Sequence, residues 1–154
     1  PQYYAAQAKV YKSFRIQDSM EKDAILDQAL TSVEKAHAVT ENNVEVIAME
    51  GFINMLKISV DPATRGQTLS PKVIASFTKA VQIDPRNPRA MLFLGQMQIG
   101  TAQFFGTGIE EPCKMITKSL ELFEQQSSKN KLAPTWGKDG AQQFLKTCSI
   151  EPAK

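Results

Sequence analysis

The stretch from Lys35 to Gly51, KAHAVTENNVEVIAMEG, returns 44 positions later as KAVQIDPRNPRAMLFLG. Lys35 matches Lys79, Ala36 matches Ala80, Val39 matches Ile83, Asn43 matches Asn87 and Gly51 matches Gly95. Each copy runs from the end of one apolar-periodic segment, through a polar break, into a second such segment. A unit of that kind cannot bury its apolar face alone, so self-similarity at a fixed period predicts helical hairpins stacked on one another. In the second copy Asp84 and Pro85 end one helix, while Asn87 and Pro88 begin the next. The glycine belongs where two helix backbones approach closely, and Ala8, Gly51, Gly95 and Gly140 supply a small residue at such crossings. A mid-helix glycine costs about 1 kcal/mol relative to alanine, so a close approach is the reason to look for.

Helical spacing continues through most of the chain, and no segment alternates with period two, which predicts an all-α fold. The expected helices lie near 2–15, 20–39, 43–59, 70–83, 87–104, 111–126 and 134–148. Ser70 and Pro71 read as an N-cap and first helical position, and Glu110 and Glu111 complement a helix N-terminus ahead of Pro112. The segments 61–70 and 127–134 read as turn-rich connectors. One domain over 1–154 follows, with hairpins at about 1–43, 44–86 and 87–126 and a capping helix at about 134–148.

Eighteen basic against sixteen acidic residues, without a single-sign block, argue against nucleic acid as a partner. No apolar run approaches the roughly 18 to 20 residues of a membrane-spanning helix. One histidine and two cysteines without ligand spacing provide neither a metal cluster nor a nucleophile and base pair, so no enzyme activity, metal or cofactor is expected. Cys113 and Cys148 are either two buried thiols or, in an oxidising compartment, a disulfide that ties down the last helix.

The pattern resembles the tetratricopeptide repeat family, in which a bulky residue precedes a small one by four places on the first helix of each hairpin. Tyr4 and Ala8, Ile47 and Gly51, Met91 and Gly95, and Trp136 and Gly140 match that pair. Ala29, Val33 and Ala36, then Val73, Phe77 and Ala80, then Pro112, Ile116 and Ser119 match the second helix. The chain departs from the family in its period, about 44 against 34, and in having a closing proline only at Pro85. The segments DPATRG, DPRNPRA, GQMQIGTAQFFGTG and LAPTWGK also resemble a group of exported repeat proteins of Bacteroidetes-type bacteria. Members of that group carry an export signal and further helix before the region of Pro1. The resemblance implies a periplasmic or cell-surface setting, with a cytoplasmic one left open.

The resemblance further implies that the hairpins coil into a right-handed α-superhelix, and that this is a non-enzymatic scaffold that binds a protein or peptide. The alternative is a structural subunit that self-associates through its open repeat ends, with Tyr3, Tyr4 and Tyr11 on the first helix as the apolar face. The groove would be lined by Lys9, Lys12, Phe52, Met55, Arg89, Leu92, Gln96 and Ile99, a mixed apolar and basic surface suited to a peptide. Phe52, Met55 and Leu92 are equally readable as core. Ala5 and Ala48 stand where a carboxylate-clamping lysine is expected in some family members. Among loop residues, Arg65 is expected to close a turn on Asp61, and Phe104 or Phe105 to anchor the glycine-rich turn at 100–112, which otherwise reads as a ligand loop. Arg86 and Arg89 are expected on a solvated face, His37 against a helix end, and Trp136 packing the cap onto the third hairpin.

Overall fold

A computed structural model of the chain describes residues 1–126 and 132–150. Seven helices follow in order: α1 (Gln2–Ser13), α2 (Ser19–His37), α3 (Val44–Val60), α4 (Pro62–Ile83), α5 (Pro88–Phe105), α6 (Glu110–Gln125) and α7 (Lys138–Ile150). There is no strand among the described residues, and none of their helices is long and apolar enough to cross a membrane. The most extensive packing joins α1 to α2, α3 to α4 and α5 to α6, and α1 and α5 both also touch α3. Helices α1, α3 and α5 therefore form one layer, α7 packs on α6, and a cleft opens from the α1–α3–α5 layer.

Short polar side chains set the helix starts. Asp18 accepts from the Glu21 N–H at 2.8 Å, Asn43 from those of Glu45 and Val46, and Asn87 from that of Ala90 at 2.9 Å. Each satisfies donors that a helix start leaves unpaired. Gly106, at φ 67°, ends α5 in the left-handed conformation that glycine adopts without strain.

Two expected connections are helical instead. Residues 62–70 belong to α4, which starts at the Asp61 cap with Pro62 in its first turn and runs through Pro71 to Ile83. Asp-Pro and Ser-Pro are equally good local start signals, and the earlier one prevails. Arg65 bonds both Asp23 carboxylate oxygens on α2, at 2.6 and 2.8 Å, rather than closing a turn on Asp61. That contact and the Lys57 carbonyl pin the first turns of α4 and help offset the roughly 3 kcal/mol of an interior proline. Likewise α5 extends to Phe105, so Phe104 and Phe105 lie on its last turn, 80% and 71% exposed, and anchor nothing. Ile109, which is buried, holds that turn instead.

The glycines of the repeat do what their positions imply. A Cβ on Gly51 would lie 2.6 Å from Phe77 Cε1, and one on Gly95 2.8 Å from Ile116 Cδ1. Ala8 and Gly140 do not share this role: Ala8 is exposed, and nothing lies within 4 Å of a Cβ on Gly140. Ala6 and Val10 carry the buried face of α1, which is one residue pair out of the expected register. Cys113 on α6 and Cys148 on α7 form a disulfide, which settles the alternatives left by the sequence.

Candidate functional site

Three aromatic rings stack where α3, α5 and the approach to α7 converge. Phe52 and Phe93 lie 4.4 Å apart with 11° between their planes, and Trp136 stacks on Phe52 at 5.4 Å and contacts Phe93 at 5.7 Å. Phe77 supports Phe93 from beneath at 5.5 Å. Above this floor lies a cleft of about 370 Å³. Tyr11 in the last turn of α1 and Phe14 at its C-cap, one turn apart, form its far side, and Gln96 and Asp139 are its main polar side chains. Tyr11 and Phe14 are 48% and 53% exposed, so the rim faces solvent.

Trp136 belongs to no helix, and its placement rests on a polar cluster behind the rings. Arg89 is fully buried, with Nε and Nη2 donating to the two Glu45 oxygens at 2.7 and 2.8 Å. Its Nη1 donates to the Trp136 carbonyl at 2.9 Å. The guanidinium also lies 5.6 Å from the Phe123 ring centroid and 5.7 Å from that of Trp136, a cation–π distance. Asn87 donates to Glu45 at 2.6 Å, and the Tyr3 hydroxyl lies 3.4 Å from the same carboxylate. The Trp136 indole N–H in turn donates to the Tyr3 hydroxyl at 2.8 Å. Burial, and then the Glu45 charge, push the Tyr3 phenol well above its ordinary pKa. Gly137, at φ 109°, turns the chain into α7 where a Cβ would meet Phe123 at 2.7 Å.

Of the residues expected along a groove, Phe52, Leu92 and Gln96 line this cleft. Arg89 and Ile99 do not line the cleft, and Arg89, fully buried, is not on a solvated face. Arg86 is exposed. Met55 is half-buried against the core, and Lys9 donates to Ser32 on α2 at 2.8 Å. Lys12 is exposed on α1 beside Tyr11. Trp136 meets α3 and α5 rather than acting as a cap on the third hairpin alone. Tyr3 is drawn inward, while the Tyr4 hydroxyl donates to the Leu132 carbonyl. His37, in the last turn of α2, lies 2.9 Å from Glu50. No group of three or more His, Cys, Asp or Glu suited to a metal ion occurs among the described residues. Phe14, Phe93 and Asp139 also line the cleft, although no motif in the sequence marks them. The three-residue spacing of Tyr11 and Phe14 was the available signal for one aromatic helix face.

Fold and cleft together define an all-helical protein with an aromatic cleft braced by a buried ion pair. No protein-family model and no curated protein matches the chain. Its structure is similar to that of the HusA haemophore from Porphyromonas gingivalis, with a TM-score of 0.83 and 24% sequence identity. The likeness covers 99% of this chain and 75% of that one, and it bears on the fold alone.

Proposed function

We propose that the chain is a non-enzymatic binding protein whose cleft takes a flat, largely apolar ligand of the porphyrin class, haem included. The carrying observation is the aromatic lining itself: Phe52, Phe93 and Trp136 form a stacked floor, and Tyr11 and Phe14 flank it. A cleft of about 370 Å³ falls in the range of roughly 300–1,000 Å³ usual for small-molecule sites. The haemophore of similar fold supports the ligand class. The lining fits a porphyrin ring better than it fits iron, because it includes no His, Cys or Met and its side-chain oxygens are those of Tyr11, Gln96 and Asp139. Exposed Lys12 and Arg15 follow Tyr11 and Phe14 along the end of α1, where they suit a ligand's carboxylates.

The hairpins are read as three degenerate tetratricopeptide-like repeats in one domain, near 1–43, 44–86 and 87–126. Support comes from Asn43 and Asn87, which both cap helices, and from Gly51 and Gly95, which both receive a side chain of the following helix. An exported setting fits the disulfide, which persists in oxidising compartments. A protein or peptide in the same cleft is the second reading, favoured by the solvent-facing rim of Tyr11 and Phe14.

The test is titration with haemin, with iron-free protoporphyrin and with an amphipathic helical peptide, followed by porphyrin absorbance and by fluorescence of the single tryptophan. Both porphyrins should quench Trp136 at micromolar concentration, with weaker binding in Phe52→Ala. Quenching by the peptide alone would favour the second reading, and no response to any of the three would overturn the assignment of this cleft.

A further inference from the structure

We propose that Tyr3, Glu45 and Arg89 act as a latch that positions Trp136 as one wall of the cleft, so that ligand affinity depends on residues that never touch the ligand. This inference rests on the binding function proposed for the cleft. Trp136 lies outside every helix and follows Pro134 and Thr135, so local geometry leaves its ring free to turn. Its orientation is set from two sides at once. Arg89 holds its carbonyl, and the Tyr3 hydroxyl accepts its indole N–H.

Those two contacts converge on one carboxylate. Glu45 accepts from Arg89 twice, from Asn87 and from Tyr3, which occupies about the four acceptor sites an ionised carboxylate has. The latch thus joins α1, α3, α5 and the approach to α7 through a single charge. A buried ion pair is a weak source of stability, because its desolvation offsets much of its attraction. A bidentate guanidinium with a further donor aimed at a carbonyl is, by contrast, a strong source of fixed geometry. Glu45 and Arg89 also occupy the same place in the two repeat copies, 44 positions apart, so stacking of the hairpins brings them together. None of the three latch residues lines the cleft, while Trp136 does.

The decisive variant is Tyr3→Phe, which keeps the ring and removes only the hydroxyl. Arg89→Met strands the Glu45 charge, and Glu45→Gln keeps the side-chain shape and one acceptor oxygen but leaves the fully buried Arg89 guanidinium without its counter-charge, so Glu45→Gln is the second variant with its thermal midpoint as the check on folding, and Tyr3→Phe decides where that check fails. Ligand-free Trp136 emission, its acrylamide quenching and the thermal midpoint are recorded for both, then the haemin affinity and dissociation rate. The expected result for Tyr3→Phe is red-shifted emission, about twofold faster quenching and an affinity lower by three- to tenfold, carried by faster dissociation. The thermal midpoint should move far less than in Phe77→Ala. Unchanged emission and quenching in both variants overturns the latch, as does a shift in emission with unaltered affinity. If wild-type protein binds no porphyrin, the proposed function fails, and the ligand-free emission alone then decides whether Tyr3 and Glu45 hold Trp136.

Discussion

Gly95 and Gly100 lie one and a half turns apart on α5, and replacing each by alanine should change stability in opposite directions. Both substitutions remove the roughly 1 kcal/mol disadvantage of glycine inside a helix. At Gly100 nothing lies within 4 Å of the new methyl, so the full gain of about 0.5–1 kcal/mol should appear. At Gly95 the methyl would sit 2.8 Å from Ile116 Cδ1, 3.2 Å from the Pro112 carbonyl oxygen and 3.3 Å from Met115 Cβ. The Ile116 tip can rotate, but the Pro112 carbonyl is backbone and retreats only if α6 moves. Overpacking of this kind costs about 1–3 kcal/mol, and the backbone neighbour puts it in the upper half of that range. Net destabilisation of about 1–2 kcal/mol is expected, leaving the two variants about 2–3 kcal/mol apart. With a urea slope of about 2 kcal/mol per molar, their unfolding midpoints should differ by roughly 1 M. Equilibrium unfolding followed by circular dichroism measures this directly. A Gly95→Ala protein as stable as Gly100→Ala would refute the claim that close approach of α5 to α6 is why a glycine occupies position 95.

Three further outcomes follow from the tertiary contacts. Reduction of the Cys113–Cys148 bridge opens a loop of 35 residues, and the chain-entropy relation puts the loss at up to about 4 kcal/mol, so reductant should lower the urea midpoint by 1–2 M. The hydrogen bonds from Arg65, foremost among its causes, hold the Asp23 carboxyl below its usual pKa. Its contribution is therefore present above about pH 4 and is lost as pH falls through the depressed value, and a pH series of thermal midpoints should show a shallower acid limb in Asp23→Asn. The raised pKa of Tyr3 has the opposite sense: stability is intact below about pH 10 and declines as pH rises through the folded-state value. Unfolding rates in alkaline buffers should consequently rise less steeply in Tyr3→Phe than in wild type.

Local chemistry made much of the fold legible from the chain alone. Asn43 and Asn87 announce helix starts because an amide oxygen one residue before a helix satisfies its free N–H groups. Gly51 and Gly95 announce close crossings because an interior glycine is costly without one. Fixed-period similarity between Lys35–Gly51 and Lys79–Gly95 then implies that one helical unit packs on the next. The same local logic failed at Ser70 and Pro71, since two competing start signals lie on one continuous helix, whose first turns Arg65 ties to Asp23 on α2. It failed again at Arg89, which reads as a solvated arginine beside a turn. Burial of that side chain depends on a carboxylate 44 residues earlier and a carbonyl 47 residues later. Trp136, in a segment without periodicity, has no local determinant of its orientation at all. The helices and their order were thus settled by interactions within a few residues, while the cleft was settled by an ion pair, a hydroxyl and three stacked rings that meet only once the hairpins have packed.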